Sequence, residues 1–317
     1  MNRTGAMLVV TIGAILACAP GLVRAISTDE DIGNVTSVFK QPSPPTAARP
    51  VDSSGAEGNR FRDLGPDPNE SPERVPIGAY PWVVALVENK EPVQEGYICA
   101  GALVAPSWVL TAAHCASRIT RRWPIESGFH VLTNTSALAA PGPIAAVKKI
   151  VFHPDYSERN QTNDVALLNI DDTSTKDITP IRLEGPPIKS RVGAVAQIFG
   201  WGVTNKTLLE KSSGENLQII QAAVIGERCF SAGNFRSLRG TGVFCAESVM
   251  KFHDTCYRFG GGPVLLHDSK GERYLGGLVS WSSNCTRDVR KPNVYLDVQF
   301  HLPWIKSVIG ATARTSP

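Results

Sequence analysis

An all-β fold of the sandwich or barrel type is predicted by three features of this 317-residue chain. Short runs rich in Val, Ile and Leu recur along it: "PWVVALV", "YICAGALV", "WVLTAA", "VALLNI", "AVAQIFGWG", "AAVIG", "PVLL" and "YLGGLVSW". Gly, Pro, Asn and Asp punctuate them at the spacing of successive antiparallel strands. Helical spacing is confined to "FHLPWIKSVIG", where Leu302, Ile305 and Ile309 share one side and Gly310 reads as a stop.

Arg3 precedes the apolar run "AMLVVTIGAILACA", and "LVRA" supplies small or apolar residues before a break near Ala25, so residues 1–25 read as a signal peptide. The run is short and interrupted by Gly13 and Pro20, which argues for export and against a membrane anchor once it is removed. Residues 26–73 are rich in Pro, Ser and charge with almost no apolar periodicity. They are read as a flexible pro-segment or linker, because they bury too little surface to offset their ordering entropy. Strands begin after Arg74. The net charge of +3 is close to balance, so nucleic acid is not an expected partner.

Of the seven cysteines, Cys18 falls in the leader, leaving Cys99, Cys115, Cys229, Cys245, Cys256 and Cys285. An even set in an exported chain predicts disulfides, and spacing alone leaves every pairing open. There is no Cys-x-x-Cys spacing, and neither a metal nor a cofactor is expected. Sequons at Asn34, Asn134, Asn160 and Asn205 are candidate glycosylation sites on an extracellular product.

"DTCYRFGGGP", Asp254 to Pro263, holds a triple glycine. A phosphate cradle needs a following Lys-Ser/Thr at the opening of a helix, whereas Gly262 runs into the strand-like "PVLLHD". A tight loop around a nucleophile is the other use of such glycines.

"WVLTAAHCAS" sets His114 directly before Cys115, and "NDVALLNI" sets Asp164 at the start of an apolar run. With "FGWG", "DTC", "GGP", "VSW" and the terminal "PWI", these motifs resemble the trypsin/chymotrypsin family of serine proteases in order and spacing, over about Arg74 to Gly310. The resemblance implies a protease domain over residues 74–312. Two antiparallel six-stranded β-barrels (about 75–185 and 186–300) would be followed by a C-terminal helix (about 301–310) and a tail (313–317). It implies the pairs Cys99–Cys115, Cys229–Cys245 and Cys256–Cys285.

The family's chemistry uses a serine hydroxyl as nucleophile, a histidine as base, a buried aspartate that orients it, and backbone N–H groups that hold the oxyanion. His114 matches the base and Asp164 the orienting acid. The family's nucleophile loop reads Gly-Asp-Ser-Gly-Gly-Pro, and here the same positions read Arg258-Phe259-Gly260-Gly261-Gly262-Pro263. Gly260 thus stands at the serine's place, a loss that in such enzymes lowers kcat about a million-fold. Arg258 stands where a glycine serves the oxyanion hole. Phe259 stands where an aspartate receives the new α-amino group after activation cleavage, and "RVPIGAYPW" is too short to deliver that group.

Asp254 matches the acid that gives trypsin-like enzymes their Arg/Lys preference, while Ser282 and Asn293 replace pocket-wall glycines and are expected to fill the pocket and to hydrogen-bond Asp254. Ser280 matches a residue that supports the aspartate, and Trp281 a wall of the cleft.

The expectation is a secreted, catalytically inactive homologue that acts by binding another secreted protein, as a decoy, cofactor or inhibitor. A serine-type endopeptidase using another hydroxyl, such as Thr255 or Tyr257, is the alternative. A scaffold that presents the N-terminal segment is a third.

Overall fold

The computed structural model describes residues 75–121, 128–160, 162–203, 215–230, 237–249, 255, 257–281 and 292–313. The leader, the segment up to Arg74, Asn34, Asn205, Asp254, the Cys256–Cys285 pair, Ser282 and residues 314–317 lie outside them.

Twelve strands close into two six-stranded antiparallel barrels. The first is built from β1 (Val83–Glu88), β2 (Tyr97–Ala105), β3 (Trp108–Thr111), β4 (Phe129–Leu132), β5 (Ile144–Phe152) and β6 (Ala166–Ile170), in the order β1-β2-β3-β6-β5-β4. The second comprises β7 (Val195–Gly200), β8 (Gln218–Gly226), β9 (Val243–Ser248), β10 (Pro263–His267), β11 (Arg273–Trp281) and β12 (Asn293–Asp297), in the order β10-β11-β12-β9-β8-β7. Closure leaves no free sheet edge, which removes the usual liability of unpaired strand N–H and C=O groups.

Sequence pattern and burial agree strand by strand. In β8, Ile220, Ala222 and Val224 point into the core and Gln221 faces solvent, the period-two alternation of a strand with one face inside. Strand β2, "YICAGALVA", is buried on both sides. Its inner face lines the barrel and its outer face meets the second barrel.

A short helix, α1 (Ala113–Thr120), follows β3 directly. The terminal helix, α2, runs Val298–Ala313 and buries Ile305 completely. It is longer than the apolar spacing indicates and passes through Gly310, which does not act as a stop. Nothing crowds Gly310, and an isolated glycine in a helix costs only about 1 kcal/mol against alanine.

Candidate active site

Strand register places the first two residues of the site. Thr111, the last residue of β3, pairs with Ala166, the first of β6. Because the strands are antiparallel, the residues just after Thr111 and just before Ala166 leave the barrel at the same end. His114 in the first turn of α1 therefore meets Asp164. Its backbone N–H donates to Asp164 Oδ1 and its ring Nδ1 to Asp164 Oδ2, each at 2.8 Å. Ser280, from β11 of the other barrel, donates its hydroxyl to the same Oδ2 at 2.6 Å. Asp164 is buried, and these bonds satisfy the carboxylate where water does not reach. Burial disfavours a charged His114, but the charge and hydrogen bond of Asp164 outweigh it, and the imidazole pKa is raised above the ordinary histidine value.

The loop from Tyr257 to Gly262 faces His114. Gly260 accepts a hydrogen bond from Ala100 N at 2.9 Å, and Gly261 and Gly262 pair with Val279 at 2.8 Å, tying the loop to β2 and β11. Gly261 has φ 69°, and a Cβ there would lie 2.3 Å from Ala100 O. Only glycine fits both the conformation and the space. At Gly260 the nearest groups to an added Cβ would be His114 Nε2 at 2.8 Å, Cys99 Sγ at 3.3 Å and Cys115 Sγ at 3.4 Å. The free edge of the histidine ring rests on the Cys99–Cys115 bond, with Nε2 3.3 Å from Cys115 Sγ. Cys99, His114 and Cys115 are also a compact set of metal-ligand types. The two sulfurs are bonded to each other, so in this state neither is a thiolate and the imidazole is the one strong metal ligand of the three.

Arg258 sits at φ 65°, a left-handed conformation costing a non-glycine residue roughly 1–2 kcal/mol. Three contacts hold it there. Tyr97 donates its hydroxyl to Arg258 O at 3.0 Å, the Arg258 guanidinium donates to Gln94 O at 2.9 Å, and the guanidinium lies over the Tyr97 ring at 5.0 Å. Cation–π contact alone is worth about 0.5–2 kcal/mol, enough to offset the strain.

Phe259 is buried at 1% exposure. Its ring lies against Gly200 and Gly202, where an added Cβ would stand 2.6 Å and 2.2 Å from ring carbons. Val75 is buried too, but in a hydrophobic cluster separate from the one that holds Phe259. The intervening segment is pinned by Tyr80, whose ring is 4.6 Å from Phe199 and lies under the Arg273 guanidinium at 5.7 Å.

Asn293, at the start of β12, is buried and donates its amide to Thr255 Oγ1 at 2.8 Å. Thr255 is the described partner; the Asp254 carboxylate expected in that role lies outside the described residues. Trp281 ends β11 half-exposed and pairs in register with Val294. Thr255 is wholly buried, and Tyr257 is exposed with its backbone bridged to Val203. Among the described residues neither hydroxyl bonds to His114, whose ring contacts are Asp164 and Cys115. Cys229–Cys245 forms as expected.

The sequons separate. Asn134 has φ 49° and a buried Oδ1, and Thr135 is buried with its hydroxyl bonded to Thr133 O and Gly142 N. Asn160 is exposed on the loop before Asp164.

Sequence reasoning missed five participants. They are Tyr97 and Gln94, which hold Arg258, Thr255, which bonds Asn293, and the paired glycines that seat Phe259. The "FGWG" motif was the one visible sign, for two glycines flanking a tryptophan leave room for a bulky neighbour.

Two six-stranded barrels with a His–Asp–Ser280 hydrogen-bonded set where they meet define the chymotrypsin-like class of β-barrel proteins. The trypsin family model matches residues 71–305, and the chain belongs to that family. It is 32% identical over 243 residues to coagulation factor XII of Sus scrofa, which covers 72% of this chain and 38% of that protein. It is 31% identical over 237 residues to human atrial natriuretic peptide-converting enzyme, covering 73% of the chain and 22% of the relative. With mouse transmembrane protease serine 11C it shares 28% identity over 248 residues, 74% of this chain and 52% of the relative. The chain thus spans about half or less of the length of these relatives.

Proposed function

We propose that this protein is a catalytically inactive member of the trypsin family, a pseudoprotease in which glycine replaces the nucleophilic serine, and that it acts by binding another protein. One observation carries this reading: the position facing His114 Nε2 is Gly260, which has no hydroxyl, and the imidazole has settled against the neighbouring disulfide. A base without a nucleophile leaves at most the residual rate that binding and oxyanion donors provide, about 10³–10⁴ over water. Arg258 at the oxyanion position, Phe259 at the activation position and Asn293 in the pocket wall each work against that remainder. The retained His114–Asp164–Ser280 set then serves to join the two barrels.

The chain is secreted after removal of residues 1–25, and Asn160 carries the glycan for which its exposure suits it. Function in such folds lies in surface loops, so the partner is read by loops around the cleft. The test has two arms on the full mature chain. A serine-reactive fluorophosphonate leaves the protein unlabelled while labelling trypsin in the same tube, and Arg- and Lys-containing ester substrates show no turnover. Stoichiometric labelling, mapped to Thr255 or Tyr257, would establish the endopeptidase alternative instead.

A further inference from the structure

We propose that the Cys99–Cys115 disulfide is a thiol-exchange site, and that His114, held by Asp164, is the proton donor to the leaving Cys115 thiolate. The proposal rests on the reading that His114 serves no nucleophile at position 260. It deepens that reading by giving the retained pair a chemistry of its own.

The geometry assigns a direction to the exchange. Cys99 keeps a little exposure, 4%, while Cys115 has none. Attack is therefore assigned to Cys99 Sγ, on the residue of the pair that solvent touches. Cys115 is the sulfur that must leave, and it is the one 3.3 Å from His114 Nε2. With Nδ1 donating to Asp164 Oδ2 at 2.8 Å, the charged imidazole directs its second N–H, on Nε2, toward that sulfur. The raised pKa of His114 keeps that proton available nearer neutrality than in an isolated histidine. Gly260 matters as well: its missing side chain leaves His114 Nε2 and both sulfurs as the nearest groups around that position. A serine hydroxyl there would compete for Nε2.

A thiolate of an external dithiol forms an S–S bond with Cys99 Sγ, the Cys99–Cys115 bond breaks, and its electron pair goes to Cys115 Sγ, which takes the proton from His114 Nε2. The second thiol of the reductant then attacks the mixed disulfide, releases Cys99 as a thiol and leaves as a cyclic disulfide. Two electrons pass from the dithiol to the protein. Exchange is faster when the leaving sulfur is better stabilised, which an adjacent imidazolium achieves.

Cys229–Cys245 is the internal control. It too is nearly buried, with Cys229 at 7% more exposed than Cys99, but the polar contact of Cys229 Sγ among the described residues is the Gly226 carbonyl at 4.0 Å, which has no proton to give. Exposure alone thus predicts that Cys229–Cys245 opens first, whereas proton donation predicts the reverse.

The experiment treats the native full-length mature protein with dithiothreitol between pH 6 and 8, quenches with iodoacetamide and maps both disulfides by peptide mass. Cys99–Cys115 is expected to open first, and His114→Gln to slow it about a hundredfold, at the low end of general-acid effects, while Cys229–Cys245 keeps its rate. After correction for reductant thiolate, the wild-type rate falls as pH rises through the His114 pKa, and the His114→Gln rate does not. A purely structural role for His114 predicts the opposite, since a loosened fold exposes the sulfurs and speeds reduction. With a monothiol in place of dithiothreitol, early quenching with iodoacetamide is expected to trap the mixed disulfide on Cys99. An unchanged or faster rate in His114→Gln, prior opening of Cys229–Cys245, or an adduct on Cys115 overturns the proposal. The phosphonate assay tests inactivity independently, so either reading can fail alone.

Discussion

His114 Nε2 lies 2.8 Å from where a Cβ on Gly260 would stand. Real Cβ contacts do not come that close, so the imidazole occupies part of the space a serine needs.

Gly260→Ser is accordingly expected not to restore proteolysis. The new side chain must first push His114 back against the Cys99–Cys115 bond. On the proposed reading Arg258 still occupies the oxyanion position, where a lost donor costs about 10²–10³ in rate, and Phe259 still denies the loop its charged anchor. Ester hydrolysis by Gly260→Ser, beside a variant also carrying Arg258→Gly and Phe259→Asp, is the measurement. Turnover of 1 s⁻¹ or more by the single variant, on the order of an ordinary protease, would show that the hydroxyl was all that was missing.

Phe259→Ala is expected to destabilise the fold by about 3–5 kcal/mol, because the ring fills space that Gly200 and Gly202 leave vacant and the loop is held too tightly to collapse into the gap. Urea unfolding monitored by circular dichroism gives the value. A loss under about 1 kcal/mol would mean the ring is not a packing element.

Replacing Asn293 by glycine leaves buried Thr255 Oγ1 without the amide it accepts from, at a cost of about 1–3 kcal/mol. The same change empties the pocket wall. An arylamidine probe, silent with the wild type, is expected to bind Asn293→Gly by fluorescence titration. Binding to the wild type would show that Asn293 does not close the pocket.

Proton NMR of the His114 ring is expected to give a pKa above the usual histidine value, and Asp164→Asn to bring it down. The sign follows from Asp164 favouring the imidazolium. The pairing's contribution to stability is fully present below the unfolded pKa of about 6.5 and is lost as pH rises through the higher folded value. A wild-type midpoint below 6.5 would show that burial, not Asp164, governs the ring.

The short strands, the disulfide partners Cys99–Cys115 and Cys229–Cys245, and the meeting of His114 with Asp164 were legible because each rests on local pattern or on motif order. Alternating apolar residues form strands wherever they fall, and once barrel class is known the motif positions follow. The end of α2 was misread at Gly310 because a glycine in an uncrowded turn costs too little to stop a helix that packing already holds. The sequence by itself determined that position 260 carries no hydroxyl, since no fold adds one to glycine. Only the tertiary structure decided how Arg258 is clamped by Tyr97 and Gln94, more than 160 residues away along the chain, where Phe259 finds its glycines, and that His114 rests on the Cys99–Cys115 bond. Such contacts depend on barrel closure, which brings distant residues together by hydrogen-bond register and by the filling of space, and neither quantity is written in local spacing.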